Sequence, residues 1–194
     1  MSTTTRWTSA DLERMPDDGN RYEIIDGELY MSTQPHFYHQ FVCSKLVHQL
    51  ETWNEEARLG EVAIAPGLIF AEDDDVAPDI VWISNSSLAS ALQSDGHLHD
   101  APELVIEVLS PGTVNERRDR VAKLKLYSRR GVSEYWIASW QTRTVDVYRR
   151  DEAELKLVGT LGETDTLQSP VLPGFSCPVS VLFARIPIGN SEEL

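Results

Sequence analysis

Two carboxylates stand where strand-forming apolar residues surround them. Glu107 lies inside Leu104-Val105-Ile106-Glu107-Val108-Leu109, and Asp79 inside Val76-Ala77-Pro78-Asp79-Ile80-Val81-Trp82-Ile83. An ionised carboxylate in such a strand costs several kcal/mol unless a metal ion, a lysine or a proton compensates it. Taken alone, Glu107 could face solvent at a strand end or pair with an arginine, and Asp79 could close a turn. Taken together, at the ends of neighbouring buried strands, they make a site for a hard divalent cation, which prefers oxygen ligands.

A lysine follows at a useful distance. Asp119 and Lys123 lie four residues apart, so on a helix they share a face, either as an internal ion pair or with Lys123 turned toward the carboxylates. A lysine beside a carboxylate–metal cluster can orient water and stabilise charge developing on a phosphate. Around it, residues 116–130 hold seven basic and two acidic residues, a local charge of +5 in a chain of 194 residues whose net charge is −14. That net charge argues against coating nucleic acid by bulk electrostatics, and the remainder of the chain carries −19. The basic segment could hold a polyanionic backbone locally, or be a solvated helix face.

Other groups carry less. His36-x-x-His39 and His97-x-His99 lack a further ligand at zinc-site spacing. Asp73-Asp74-Asp75 lacks the ligand positions and glycine of a calcium loop and reads, within residues 72–75, as a solvated turn. No dinucleotide fingerprint, phosphate-binding loop or serine-hydrolase elbow is present.

The elements that must position these groups can be read along the chain. Thr8 suits the N-cap of a short helix ending near Met15-Pro16. Asp26-Gly27 between two β-prone runs predicts a two-residue hairpin, because a type I′ turn needs positive φ at both central residues. Helical spacing of Val42, Leu46, Leu50 and Trp53 predicts an amphipathic helix over residues 39–53. Strands are expected at 62–65, 67–71 and 79–84, then a short helix and surface excursion over 85–102. The continuous apolar run at 104–109 marks a strand covered on both faces. The basic helix, 116–130, closes on Gly131, and strands at 134–138, 144–149 and 155–159 follow.

In this order, the segments resemble the PD-(D/E)XK nuclease superfamily and, more closely, the Uma family of restriction-endonuclease-like proteins. The resemblance is carried by residues 22–29 (YEIIDGEL), His39-Gln40, 77–81 (APDIV), 104–111 (LVIEVLSP), Asp119-x-x-x-Lys123-x-x-x-Tyr127 and 131–137 (GVSEYWI). It implies an α/β (α+β) fold with an αβββαβ core, a mixed central sheet flanked by helices, and extra N- and C-terminal β-hairpins. It also implies a Mg²⁺ (or Mn²⁺) site and phosphodiester hydrolysis, with DNA as substrate. Asp79 and Glu107 become the metal carboxylates, the backbone carbonyl of Val108 a third ligand, and Glu23 a further candidate. Catalysis would rest on Asp79, Glu107 and Lys123. The lysine comes from the helix because Leu109 occupies the position two beyond Glu107. Relatives commonly read Val-Asp where this chain has Ala138-Ser139. A homodimer is expected by analogy with enzymes that cut both strands of a duplex. The competing expectations are a nuclease-fold binding protein without catalysis and a hydrolase of another phosphorylated substrate.

Composition sets the frame. With 41% hydrophobic and 25% charged residues, one globular domain over residues 6–186 is expected, with a flexible tail at 187–194. No run is long and apolar enough to span a membrane, no secretory signal opens the chain, and Cys43 and Cys177 form no paired motif, which together favour the cytoplasm.

Overall fold

The computed structural model describes residues 6–187, so the tail expected at 187–194 lies almost wholly outside the described residues. After a one-turn helix α1 (Ser9–Leu12), strands β1 (Arg21–Ile25) and β2 (Glu28–Ser32) form the predicted hairpin. Its turn residues, Asp26 and Gly27, have φ of 54° and 74°, the left-handed pair that a type I′ turn demands. Helix α2 (Phe37–Ala57) starts where the His36 side chain accepts a hydrogen bond from the Tyr38 N–H, and buries Val42, Leu46 and Leu50 along one stripe.

Four strands come next: β3 (Gly60–Ile64), β4 (Leu68–Ala71), β5 (Asp74–Val76) and β6 (Ile80–Ser84). Helix α3 (Asn85–Ala91), capped by the Ser84 hydroxyl, leads to β7 (Leu104–Val108), which is buried throughout. The basic segment follows as α4 (Thr113–Arg117), a π-helical stretch (Arg118–Lys123) and α5 (Leu124–Arg130), ended by Gly131 at φ 96°. Strands β8 (Glu134–Ser139), β9 (Thr144–Asp151), β10 (Glu154–Leu161), β11 (Thr166–Gln168) and β12 (Ser176–Pro178) precede helix α6 (Val179–Phe183).

The central sheet has the order β10-β9-β8-β7-β6-β3, and only its β7–β8 pair is parallel. The expected mixed αβββαβ core is thus α2, β3, β6, β7, the basic helix and β8. The N-terminal hairpin joins β5 and β4 in a second sheet, and β11–β12 form a C-terminal hairpin. Because side chains alternate along a strand, Ile80, Trp82, Leu104, Ile106 and Val108 pack with α2 and α6 on one face. Val81, Ile83, Val105 and Leu109 pack with Leu126, Tyr127, Tyr135 and Ile137 on the other. That second face also receives Glu107.

Two expectations need correcting. The acidic run at 72–75 is not all solvated turn: Asp74 opens β5 and is 1% exposed. It can be buried because Arg129 (Nη2 to Oδ2, 2.8 Å) and Arg130 both pair with it. The basic segment is also neither one regular α-helix nor a solvated face. Its π-helical middle turns Asp119 and Lys123 inward, each 1% exposed. The Tyr135 hydroxyl, inside the core, donates to the Asp119 carbonyl at 3.0 Å.

Candidate active site

The register of the central sheet brings the two carboxylates together. In the antiparallel β6–β7 pair, Ile80 faces Ile106; one step further, Asp79 comes opposite Glu107. Asp79 lies just before the ladder that it was expected to open, and its carbonyl still accepts from the Ala65 N–H at 3.0 Å. Its Oδ2 accepts the Val108 N–H at 2.8 Å and lies 3.1 Å from His39 Nε2. An ionised carboxylate has no proton to give, so the imidazole donates. Arg21 Nη1 stands 3.6 Å from Oδ1.

Glu107 is engaged from the helix side. Its Oε1 accepts from Lys123 Nζ at 2.8 Å and from the Tyr127 hydroxyl at 3.0 Å. Lys123 Nζ also sits 2.9 Å from Glu23 Oε1 and 4.0 Å from Asp119 Oδ1. Glu23 is held in turn by the Ala77 N–H at 2.9 Å, with Arg118 Nη1 3.7 Å from its other oxygen. Strand alternation explains why β1 supplies these contacts: Arg21 and Glu23 are two apart and reach the same side.

The cluster is short of positive charge. Four buried carboxylates, those of Glu23, Asp79, Glu107 and Asp119, face the fixed cations Lys123, Arg118 and the half-buried Arg21, with His39 beside Asp79. Burial pushes the Glu107 carboxyl up to about 8, and the negative neighbours Asp79, Asp119 and Glu23 help burial outweigh the pull of Lys123. Burial acts on Asp79 in the same direction, yet the His39 hydrogen bond and charge, Lys123 and the Val108 N–H hold it at about 2. Lys123 is kept charged despite its burial by Glu107, Glu23 and Asp119. An oxygen-rich cluster whose carboxylates outnumber its fixed cations suits a hard divalent cation.

A pocket of about 290 Å³ opens onto this cluster, with Asp79, His39 and Arg118 on its lining and Arg21, Gln34 and Ser110 on its walls. Asp79, Glu107, Lys123 and Glu23 are therefore drawn into one cluster. Val108 enters it through its N–H, bonded to Asp79. His36 caps α2 and stacks on Trp140, with ring centroids 4.9 Å apart, while His97 and His99 pair with Asp95 away from the cluster. Ser139 is buried on β8, its hydroxyl accepting from the Thr142 N–H.

Sequence reasoning missed His39, Arg118, Arg21 and the contact made by Tyr127. The stripe of Val42, Leu46 and Leu50 already phased His39 and Cys43 toward the core. Tyr127 stands four residues after Lys123 on the same helix face. Of the seven basic residues at 116–130, Arg117 is the one without an ion pair among the described residues. The segment is occupied within the protein rather than spread as a cationic face.

Comparison with known proteins bears on the family and the fold. None of the curated proteins matches the chain. Among solved structures, a "putative nuclease belonging to DUF820" from Anabaena variabilis ATCC 29413 is similar in fold, with a TM-score of 0.72 and 18% identity, covering 91% of this chain and 97% of that one. The type IIG restriction endonuclease BpuSI aligns more distantly, with a TM-score of 0.40 and 15% identity over 75% of this chain and 15% of its own. Residues 9–180 match the Uma2 family, described as "Putative restriction endonuclease", across every element that carries Glu23, Asp79, Glu107 and Lys123. By that match the chain belongs to the Uma2 family.

Proposed function

We propose that the protein is a Mg²⁺-dependent nuclease that hydrolyses phosphodiester bonds in DNA. The observation that carries this reading is the convergence of Asp79, Glu107 and Lys123 beside a pocket that reaches Asp79. The donor set fits a divalent ion, since the buried carboxylates outnumber their cations. Asp79 and Glu107 would hold it, with the Val108 carbonyl and Glu23 as further donors and Mn²⁺ as a substitute. Bound there, such an ion would polarise the phosphate and make a coordinated water acidic.

The chain's own groups do the rest. Arg21 and Arg118 line the pocket and are placed to meet phosphate oxygens as the backbone enters. Lys123 holds a fixed positive charge beside Glu107, offsetting negative charge that develops on the phosphate. Glu23 and Tyr127 keep the ammonium and the carboxylate in position. A homodimer would present two such pockets, one for each strand of a duplex.

A second reading, a binding protein that keeps the fold without catalysis, draws on the internal pairing of the basic helix and the charge of −14. The two are separated by incubating plasmid and oligonucleotide DNA with the protein and Mg²⁺ or Mn²⁺, alongside Asp79→Asn and Glu107→Gln. Metal-dependent cleavage lost in both variants supports the nuclease. Folded protein that neither cleaves nor binds Mn²⁺ through these carboxylates would leave the binding protein.

A further inference from the structure

Helix α2 brings together two side chains of the kinds that bind borderline-soft metals, next to a third just before β6. His39 and Cys43 are four residues apart on its buried side, and His39 Nδ1 lies 3.7 Å from Cys43 Sγ. The other ring nitrogen, Nε2, lies 3.1 Å from Asp79 Oδ2. One potential ligand atom from each of the three residues falls within 4.8 Å of the other two. With bonds of about 2.0–2.3 Å, ligand atoms around a tetrahedral zinc ion stand about 3.3–3.8 Å apart. Side-chain shifts of about 1 Å would therefore close the set. The 290 Å³ pocket touches both His39 and Asp79, which gives an ion a way in. A thiolate and an imidazole select zinc-like ions, whereas Mg²⁺ takes oxygen ligands.

We propose that His39, Cys43 and Asp79 form a binding site for a thiophilic divalent cation such as Zn²⁺, and that this ion competes with Mg²⁺ for Asp79. On binding, bonds from the metal to His39 Nε2, Cys43 Sγ and an Asp79 oxygen form, and the Cys43 thiol releases its proton to solvent. The His39–Asp79 hydrogen bond breaks as the imidazole gives up its Nε2 proton to solvent and keeps or takes one on Nδ1. No redox partner is needed. The site itself is independent of the nuclease reading; the consequence, inhibition of Mg²⁺-dependent cleavage by Zn²⁺, rests on it.

Titrating the full chain with Co²⁺, without nucleic acid, tests the site directly. The expected result is a thiolate-to-cobalt charge-transfer band in the near ultraviolet, with the visible bands of a four-coordinate ion. Zn²⁺ should displace both, whereas excess Mg²⁺ should only raise the cobalt concentration needed to reach the same bands. Cys43→Ser should abolish the charge-transfer band, and His39→Gln should weaken cobalt binding by ~10-fold or more. Circular dichroism checks that each variant is folded, with Cys43→Ala in reserve. A folded wild type without the band, or a band that survives Cys43→Ser and so arises from Cys177, overturns the site. The competition is read separately, as Zn²⁺ inhibition of cleavage relative to each protein's zinc-free rate. Equal inhibition of wild type and Cys43→Ser would overturn that part, and a chain that cleaves nothing still leaves the cobalt spectra decisive.

Discussion

Replacing Glu107 with glutamine should stabilise the metal-free protein at neutral and mildly alkaline pH. The side chain keeps its shape, and its remaining oxygen still accepts from Lys123 Nζ and the Tyr127 hydroxyl, now 2.8 and 3.0 Å from Oε1. Lys123 is not orphaned, because Glu23 stays 2.9 Å away. What disappears is a carboxyl that must ionise, as pH rises, beside three other buried carboxylates. In the wild type the Glu107 carboxyl is pushed from 4.5 up to about 8 by burial and its negative neighbours. A carboxyl raised on folding binds its proton more tightly in the native state. Its contribution is therefore fully present below the unfolded value and is lost as pH rises through the folded one. Over that window the loss is at most ~1.4 kcal/mol per pH unit. The glutamine variant has no such slope, so between pH 5 and 8 it should gain about 2–4 kcal/mol on the wild type. Urea unfolding in EDTA, followed by tryptophan fluorescence, reads the difference at each pH. Saturating Mg²⁺ should reverse the order, stabilising the wild type alone. Parallel pH profiles would refute the reasoning, since they would mean that Lys123 already satisfies an ionised Glu107.

The cluster yields three further tests. Lys123→Ala should cost about 3–5 kcal/mol, because it strips the cation from Glu107 and Glu23 in the interior; Lys125→Ala, on an exposed pair with Asp26, should cost under ~0.5 kcal/mol by the same denaturation assay. Where the Lys123 variant is folded, DNA cleavage should fall ~10²-fold or more, whereas comparable losses in both variants would remove the special role of Lys123. Asp79→Asn should abolish Mn²⁺ binding in calorimetry while leaving the fold intact, and retained binding would move the metal off Asp79. Arg117→Ala should lower the slope of log affinity against log salt for DNA by ~1, whereas Arg129→Ala, which removes one of the two arginines on the buried Asp74, should leave the slope unchanged and lower stability.

The carboxylates were legible because a single charge inside Leu104-Val105-Ile106-Glu107-Val108-Leu109 has no inexpensive home, and strand alternation then fixes the face it occupies. The hairpin was legible because Asp-Gly is one of the few pairs that tolerate two positive φ angles in succession. Lys123 came from family resemblance, since spacing alone left it either inward or outward. The π-helical stretch shifts the helix phase there, and no residue pattern announced it. His39 was passed over because a lone His-x-x-His was weighed as a zinc fragment, not as a hydrogen-bond donor to Asp79. The pairing of Asp74 with Arg129 and Arg130 joins residues more than fifty positions apart and leaves no local trace. Strands β11 and β12, three residues each, are too short to show alternation.

The concentration of positive charge on one segment of an acidic chain has a structural reason. The basic helix reaches three separate parts of the fold. Lys125, Arg129 and Arg130 pair with Asp26 and Asp74, fastening the hairpin turn and β5 of the second sheet. Arg120 pairs with Asp146 on β9 at the far side of β8. Between these anchors, Arg118 and Lys123 meet Glu23 from β1 and Glu107 from β7. Exposed pairs of this kind contribute little singly, but those that shield Asp74, Glu23 and Glu107 in the interior are costly to break. The same ion pairs that hold the second sheet against the central one thus deliver Glu23 to Lys123 and Arg21 to the mouth of the pocket. Assembly of the fold and assembly of the site are one set of contacts, which is why few of the helix's cations are left to face a ligand.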